Sequence, residues 1–263
     1  MYKTSKSSDK VIALINSEEK PGKSEVKYRE AYNRVNFYKD LLAHDISNIL
    51  QNINSSCELI SIYSDDPSEK NKINDLNEII KEQIIRAKKL ILNVRKLSQL
   101  EKTEYELCSI DIHELLKDAI EYLLNRFRIR EIQLKVEISN KNHVVLANEF
   151  LVDVFENILI NAVKYNTNQI VEILIKVSKQ EYNRSKHIKI EFVDNGIGIS
   201  DKKKKIIFQG GNSNIKSGKG MGLGLSLVKK IIENYKGKIW VENRIKGDTS
   251  KGSNFILLIP EAI

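Results

Sequence analysis

The chain has 263 residues and a formal net charge of +8, with 43 Lys and Arg against 35 Asp and Glu. This length suits two medium domains, and a composition with 41% hydrophobic and 30% charged residues but only 3 Pro is typical of a folded, strongly helical protein rather than a disordered one. The longest early apolar run, Val11 to Ile15, is too short for a membrane span or a signal-peptide core, so we expect a soluble, cytoplasmic chain without a membrane segment.

The excess of Lys and Arg raises nucleic-acid binding as one class of function, because clustered cations release counterions from a phosphate backbone. The basic residues are spread along the chain, however, and the sequence contains no zinc-finger spacing, no aromatic RNA-binding signature and no evident recognition helix. The pattern therefore favours a solvated, Lys-rich surface, and we expect no nucleic-acid partner.

The cysteines and histidines of the sequence offer no metal centre. Cys57 and Cys108 lie far apart without His or Cys at zinc-ligand spacing, which favours buried free thiols in a reducing cytosol. The four histidines are scattered, at positions 44, 113, 143 and 187, and a metallohydrolase is therefore disfavoured.

The first hundred residues predict two long helices after a polar arm at residues 1–27. From Tyr28 onward, apolar residues recur every three or four positions, as the buried stripe of a helix requires. Asp65 to Ser68 ends the first helix, because a residue before Pro is disfavoured in the helical region, and Ser68 can cap the second helix. The first stripe comprises Val35, Tyr38, Leu42, Ile46, Ile49, Ile53, Cys57 and Ile60, and the second comprises Ile73, Leu76, Ile80, Ile84, Ala87, Ile91 and Val94.

Two long helices joined by a tight turn predict an antiparallel hairpin within residues 28–104. A hairpin cannot enclose a core by itself, and each helix carries enough apolar residues for more than one neighbour. We therefore expect two chains to form a dimeric four-helix bundle.

Residues 105–263 have another pattern, in which strand-like runs alternate with helical ones. This order predicts a mixed sheet covered by helices on one face, so the fold class of the whole chain is α+β, a helical hairpin followed by an α/β sandwich. The strand-like runs are Gln133 to Ile138, Ile170 to Val177, His187 to Val193, Lys238 to Val241 and Asn254 to Ile259. The helical runs are Ile112 to Asn125, Asn148 to Tyr165 and Leu223 to Tyr235.

His44 stands two positions from Leu42 and from Ile46. Because successive helical residues are rotated by about 100°, the His44 side chain should point away from the packed stripe. Asp45 is its immediate neighbour, and Asn48 lies one turn later on the same face. An exposed imidazole beside a carboxylate is suited to act as a nucleophile, because the carboxylate can fix the tautomer and take up a ring proton. A surface His on a charged helix is the commoner alternative, so the assignment depends on the rest of the chain.

A polar face interrupts the apolar helical run 148–165. Asn157, Asn161 and Lys164 fall on one side of it, giving neutral oxygen donors for Mg²⁺ or its waters and a cation for a phosphate. Asn is a poor helix former, so two of them four apart indicate a function, with a polar surface face as the alternative.

Two glycine-rich segments are further candidates for a functional site. Residues 194–199 read DNGIGI after a strand-like run, so the Asp194 carboxylate can accept from an exocyclic amine where glycines allow a turn. Residues 218–226 read GKGMGLGLS and open a helix, where backbone N–H groups and the helix dipole favour phosphate. The segment is neither a Walker loop nor a dinucleotide fingerprint, and a flexible hinge is the alternative.

Together and in this order, the segments resemble the histidine kinases of two-component signalling, from about Tyr28 to the C-terminus. FYKDLLAHDISNIL at residues 37–50 is similar to the phosphoacceptor box, and residues 148–166 are similar to the asparagine box. DNGIGI resembles the first glycine box of the family, IIFQGG its phenylalanine box and GKGMGLGLSL its second glycine box.

The resemblance implies a dimerisation and histidine phosphotransfer domain at residues 28–104 and a catalytic ATP-binding domain of the Bergerat fold at residues 105–263. It implies that His44 accepts the γ-phosphoryl group of ATP with Asp45 as general base, and that the group passes to an aspartate of a response-regulator receiver domain. Asn48 would orient water in the reverse, phosphatase reaction. Asn161 would hold Mg²⁺, Asp194 would bind the adenine amine and Tyr165 would lie beside the adenine. The nucleotide-binding residues implied are Asn157, Asn161, Lys164, Tyr165, Asp194, Gly196, Gly198, Lys216, Gly220, Met221, Gly222, Leu223 and Gly224.

The sequence departs from the family pattern in three places. Ile49 stands where many relatives have Pro, which predicts a first helix without the usual kink. Met221 replaces the frequent Ser or Thr between the second pair of glycines, and the lid at residues 200–219 contains Lys but no Arg. Because Lys is a point charge rather than a bidentate fork, these changes predict slower phosphoryl transfer.

Phosphoryl transfer depends on placing the imidazole in line with the γ-phosphorus, which predicts movement of the catalytic domain about a hinge at residues 100–110. Two alternatives stay open. Protein serine kinases and ATP-driven clamp proteins share the ATP fold but lack the preceding His-Asp hairpin. A catalytically weak, nucleotide-binding dimerisation scaffold would keep the fold without the transfer.

Overall fold

The computed structural model describes residues 23–102, 106–139, 142–209 and 223–262. For part of the first helix, His44 included, only the backbone is described. The chain divides into two compact units, one ending at Gln51 and the other beginning at Asn52. The domain boundaries that the sequence suggests, after residues 27 and 104, stay predictions.

Two long helices open the described chain, as predicted. Helix α1 spans Lys23–Tyr63 and continues without a break past Ile49, and α2 spans Lys70–Lys102. A short 3-10 helix, Pro67–Glu69, joins them. Asp66 caps this short helix, and Ser68, the expected cap of the second helix, lies inside it. Asp66 Oδ1 accepts from the Ser68 backbone N at 2.9 Å and from the Ser68 hydroxyl at 2.7 Å, and these bonds lower the pKa of Asp66.

Some residues of the predicted buried stripe of α1 are exposed in the structure. Ile49 and Ser56 are buried, whereas Ile46 and Cys57 of the predicted stripe are exposed. Cys57 lies one position beyond Ser56, which turns its side chain about 100° away from the buried side. The prediction of a buried thiol at this position is therefore wrong.

The second unit contains a five-stranded sheet with strand order β2-β4-β5-β7-β6. β2 pairs with β4 in parallel and the other pairs are antiparallel, which confirms the predicted mixed sheet. Its strands are β2 Glu131–Ile138, β4 Ile170–Tyr182, β5 Ser185–Asp194, β6 Lys238–Ile245 and β7 Asp248–Pro260. The helices are α3 Ile112–Arg126, α4 Phe150–Lys164, the single turn α5 Asp201–Lys204 and α6 Leu223–Asn234.

The core lies between the sheet and the helices α3, α4 and α6. Alternate residues of β4, from Val171 to Val177, are buried, as one covered face of a sheet requires. Helix α4 packs against both α3 and α6, and its Phe155 ring lies 5.7 Å from the Phe192 ring of β5. Most of α4 is therefore apolar, and the polar side chains on it stand out.

The sequence did not predict a second, two-stranded sheet of β1, Cys108–Asp111, and β3, Val144–Ala147. Each strand has four residues, too few for a clear alternation. Cys108 lies on the exposed side of β1, where its Sγ reaches the Ala147 carbonyl at 3.5 Å, so the prediction of a buried thiol is wrong here too.

Helix α2 belongs to the second unit and contacts other helices of that unit. Lys96 Nζ forms an ion pair of 2.5 Å with Asp153 at the start of α4, and both side chains are largely covered. Asn234 at the end of α6 donates to the Leu100 carbonyl at 3.3 Å. The hinge predicted at residues 100–110 comes directly after these contacts, and residues 103–105 lie outside the described part. No helix among the described residues is long and apolar enough to cross a membrane.

Two glycines, Gly252 in β7 and Gly247 in the turn before it, allow a test of how closely β7 approaches β5. Gly252 has φ +97°, and a Cβ there would lie 2.0 Å from the Asp194 carbonyl O, whereas Gly247 has φ +85° and open space around it. Gly247→Ala should therefore cost only the backbone strain, about 1 kcal/mol of unfolding free energy.

Gly252→Ala adds a backbone clash to that strain and should cost at least about 3 kcal/mol. Urea denaturation of both variants and the wild type measures the difference. Equal losses at the two positions would contradict the close approach of β7 to β5.

Candidate functional site

The polar residues singled out in the second half of the sequence gather where β5 ends, beside α4 and the first residues of α6. Asp194 is the last residue of β5, and Gly196 and Gly198 come next in the turn. Asn157 and Asn161 lie on α4, and Gly224 is the second residue of α6. The fold thus brings together residues that are up to about seventy positions apart in sequence.

Asp194 is a buried carboxylate held by backbone donors. Its Oδ1 accepts from the Gly196 backbone N at 2.8 Å and from the Ser253 backbone N at 3.3 Å. Burial raises the pKa of Asp194 to about 6, although these two donors and the charge of Arg244 lower it in part. A carboxylate fixed in this way is an acceptor of defined direction for a donor that enters the site.

Close backbone contacts shape the turn after Asp194. Ile197 N donates to the Tyr165 carbonyl at 3.1 Å, and a Cβ on Gly196 would lie 2.6 Å from that same oxygen. Gly198 has φ +69°, and a Cβ there would lie 2.1 Å from the Thr249 carbonyl. A side chain at either position would displace the turn from the end of α4 or from β7.

The polar face of α4 starts at Asn157, which is 7% exposed and donates to the Asp153 carbonyl at 2.8 Å. Its Oδ1 lies 2.8 Å from the place that a Cβ on Gly224 would take, so glycine lets α6 begin directly against this amide. Asn161 lies one turn later and is half-buried, and Lys164 is exposed. Lys164 Nζ lies 5.5 Å from the centre of the Tyr165 ring, and burial raises the pKa of Tyr165.

This face suits a hydrated cation beside an anion better than a bare metal ion. Mg²⁺ takes oxygen ligands and keeps several waters, so one amide oxygen, that of Asn161, can serve as a single protein ligand when phosphate oxygens supply others. The positive charge of Lys164 and the dipole at the start of α6 would favour the negative charge.

Part of the predicted site lies outside the described residues. Lys216, Gly220, Met221 and Gly222 belong to residues 210–222, and of Leu223 only the backbone is described. The described part of the lid comprises α5 and Phe208, whose ring packs edge-on against Phe255 with centroids 6.3 Å apart. Phe208 belongs to the predicted phenylalanine box.

His44, Asp45 and Asn48 lie on α1, in the first unit. The His44 side chain is outside the described part, so its predicted exposure stays a prediction. Asp45 is 7% exposed and Asn48 is half-buried. The common role of these residues and Asp194 rests on the sequence pattern.

Sequence reasoning missed the amide side chain next to Asp194. Asn195 Oδ1 accepts from Asn166 Nδ2 at 2.6 Å and from the Glu172 backbone N at 2.9 Å, while its Nδ2 donates to the Ile170 carbonyl at 3.1 Å. The Asn195 side chain thus ties the turn to the loop after α4 and to β4. The letter N in DNGIGI was the signal for it, but turn residues are so often Asn that spacing alone gives it no role.

Residues 146–263 match the family described as histidine kinase-, DNA gyrase B-, and HSP90-like ATPase. An uncharacterized sensor-like histidine kinase, ycf26 of Porphyra purpurea, is 27% identical over 219 residues, which cover 78% of this chain and 33% of that protein. The adaptive-response sensory kinase SasA of Synechocystis is 26% identical over 228 residues, which cover 84% of this chain and 57% of that protein. The chain thus spans about a third to somewhat over half of the length of these relatives.

Solved structures share the fold. The histidine kinase ThkA, in complex with response regulator protein TrrA, superposes with a TM-score of 0.65 at 24% identity, over 90% of this chain and 65% of that one. The Acinetobacter baumannii histidine kinase AdeS gives a TM-score of 0.60 at 18% identity, over 84% of this chain and 98% of that one. The predicted α+β class is confirmed.

The raised pKa of Asp194 predicts an unusual dependence of stability on pH. The folded-state pKa of about 6 lies above the ordinary value of 3.8, so ionisation opposes folding, and stability should fall as pH rises through this window. The Asp194→Asn variant cannot ionise and should be more stable than the wild type at pH near 8, by about 1 to 3 kcal/mol.

The advantage should shrink towards pH near 4, where the Asp194 carboxyl group is neutral in the folded state and only partly ionised in the unfolded state. Urea denaturation at the two pH values measures it, with Asp65→Asn, a change at an exposed carboxylate, as control. An advantage of Asp194→Asn that is the same at both pH values would contradict the raised pKa.

Proposed function

We propose that this chain is an ATP-dependent protein-histidine kinase, because residues 146–263 match the histidine kinase-, DNA gyrase B- and HSP90-like ATPase family and the chain is similar to sensor histidine kinases. In this proposal His44 receives the γ-phosphoryl group of ATP and passes it to an aspartate of a response-regulator receiver domain.

One observation carries the nucleotide part of the proposal. A buried carboxylate, Asp194, closes one end of a site whose other side is the polar face of α4 and the glycine-formed start of α6. Asp194 can accept a hydrogen bond from the exocyclic amine of adenine, and the carbonyl at that position of guanine would instead face a carboxylate. The start of α6, which lies against Asn157, suits the phosphates.

The mechanism assigns a separate task to each group. Asn161, with Asn157 beside it, would hold Mg²⁺ or its waters, and the ion would neutralise charge on the transferred phosphoryl group. One imidazole nitrogen of His44 would attack the γ-phosphorus in line with the leaving ADP, while Asp45 accepts the proton from the other nitrogen. The new N–P bond replaces the bond to the bridging oxygen, and ADP departs. Asn48 would orient water when the phosphorylated partner is dephosphorylated.

Exposed apolar side chains support the proposed homodimer. On the helices of the hairpin, Ile62 is 70% exposed and Ile91 is 61% exposed in the single chain, and Ile84 of the same predicted stripe is exposed as well. A second copy that covers these side chains would gain about 25 cal/mol for each Å² of apolar surface removed from water. The partner regulator is proposed from the resemblance, and the likeness to ThkA supports it at the level of the fold.

A catalytically weak scaffold is the second candidate, because residues 200–219 contain no Arg and Met221 stands where a hydroxyl is frequent. Such a chain would bind ATP and dimerise without labelling itself.

The proposed phosphoacceptor predicts a specific chemical signature. Incubated with Mg²⁺ and γ-labelled ATP, the purified wild type should become labelled, and the label should be acid-labile and alkali-stable, as a phosphoramidate is. His44→Gln should remove essentially all of it, because the proposal assigns no other side chain to receive the group.

His113→Gln is the control, since it changes a histidine of the ATPase unit and should retain the label. Label that persists in His44→Gln would contradict the assignment of His44. ATP binding without any label in the wild type would favour the scaffold.

The contact between α2 and α4 predicts an effect on the rate. If the ATPase domain must move relative to α2 for transfer, the Lys96–Asp153 ion pair opposes the movement. Lys96→Glu should then speed autophosphorylation several-fold, since a partly covered ion pair contributes about 1 kcal/mol. The double variant Lys96→Glu, Asp153→Lys restores opposite charges and should return the rate towards that of the wild type.

Lys88→Glu, an exposed change on the same helix, is the control for net charge. A rate that falls in Lys96→Glu, or that the double variant leaves at the level of Lys96→Glu, would contradict the restraining role of the ion pair.

A further inference from the structure

Arg130 lies in the turn between α3 and β2, outside the residues assigned to the nucleotide site. One of its guanidinium nitrogens, Nη2, donates to the Asn168 carbonyl at 2.9 Å and to the Asn166 carbonyl at 3.2 Å. Both acceptors belong to the loop after α4. A cation is favoured here, because the carbonyl groups at the end of a helix carry partial negative charge.

The loop that Arg130 holds is bonded directly to the turn after Asp194. Asn166 Nδ2 donates to Asn195 Oδ1 at 2.6 Å, and Asn168 Nδ2 donates to the Asn195 carbonyl at 2.5 Å. Asn166 Oδ1 in turn accepts from the Asn168 backbone N at 3.0 Å, which closes the loop on itself. The side chain and the backbone of Asn195 are therefore both fixed by the segment that Arg130 bridges.

Asn195 is adjacent to Asp194, and the same loop contacts the next residues as well. Ile197 N donates to the Tyr165 carbonyl, and Gly196 packs against that oxygen. A shift of the loop would thus be transmitted to Gly196, whose N–H orients the Asp194 carboxylate. An acceptor moved by about 1 Å loses much of a hydrogen bond, because the interaction depends steeply on distance and angle.

We propose that Arg130 is a positioning residue for base recognition: by bridging the Asn166 and Asn168 carbonyls it holds Asn195, and through it the Asp194 carboxylate, where the carboxylate distinguishes adenine from guanine. The inference rests on the proposed nucleotide site but not on phosphoryl transfer. It assigns a function to a residue that contacts no nucleotide and lies about sixty positions before the turn that it supports.

The chemistry of Arg130 explains why another cation would serve less well. A guanidinium nitrogen has fixed N–H directions, and here both are used on two carbonyl groups of one loop. A Lys ammonium could approach the same oxygens only as a rotating point charge. Arg128, in the same turn, donates instead to Asn125 Oδ1 at 3.3 Å on the surface, so it offers a matched control.

The test measures the affinity of the full chain for ATP and GTP in the presence of Mg²⁺, by calorimetry, together with the melting temperature without nucleotide. The wild type should prefer ATP. Arg130→Met should weaken ATP binding about tenfold, the loss expected for charge-assisted hydrogen bonds, and should change GTP binding little. The ATP affinity of Arg130→Lys should lie between those of the wild type and Arg130→Met. Arg128→Met should bind both nucleotides as the wild type does.

A merely structural role would lower the melting temperature of Arg130→Met while leaving the ratio of ATP to GTP affinity as in Arg128→Met, and that result would overturn the proposal. An equal loss of affinity for ATP and for GTP would overturn the proposal too, because the effect of Arg130→Met would then not pass through the Asp194 carboxylate. Should Arg130→Met fail to fold, Arg130→Lys decides by the same ratio.

A double variant shows whether the effect passes through Asp194. In an Asp194→Asn background the base-reading acceptor is already changed, so adding Arg130→Met should leave the ratio of affinities as it is in Asp194→Asn alone. A further change of about tenfold in that background would overturn the proposed route. A wild type that binds neither nucleotide would reject the nucleotide site and the role of Arg130 with it, whereas binding without autophosphorylation would reject only the kinase proposal.

Discussion

The backbone cage around the Asp194 carboxylate is the constraint on which the second unit depends. Two backbone N–H groups, from Gly196 and Ser253, hold one of its oxygens, and β7 approaches so closely at Gly252 that a Cβ there would lie 2.0 Å from the Asp194 carbonyl O. A carboxylate this buried loses hydration, which is why its pKa rises to about 6 despite the two donors. The glycines, the end of β5 and the bend of β7 are therefore parts of one arrangement.

Burial also gives α4 an apolar side and a polar side. Most of the helix is apolar because it packs between α3, α6 and the sheet, and the polar side chains Asp153, Asn157 and Asn161 occupy what remains. Asp153 also receives Lys96 from α2. The helix that would hold the metal ion is thus the helix that the ion pair joins to α2, so a change in the position of α2 would act on it directly.

Burial along that contact also affects charged side chains. Burial lowers the pKa of Lys89 on α2 and raises the pKa of Glu156 on α4, so desolvation outweighs their mutual attraction at both groups. The attraction between these two charged groups therefore adds little to the stability of the contact.

The sequence by itself determined the order and type of the long elements, because each needs a periodic apolar face and Gly, Pro or Asn at its ends. All five strand-like runs and all three helical runs of the second half lie where the structure has strands and helices. It did not determine β1 and β3, whose four residues each are too short to show a period, nor the exposure of Cys57, which depends on a rotation of one residue about α1. Only the tertiary structure decided that Arg130, Asn166 and Asn195 meet beside Asp194, because hydrogen bonds between distant segments depend on how strands and loops are juxtaposed and leave no periodic trace in the chain.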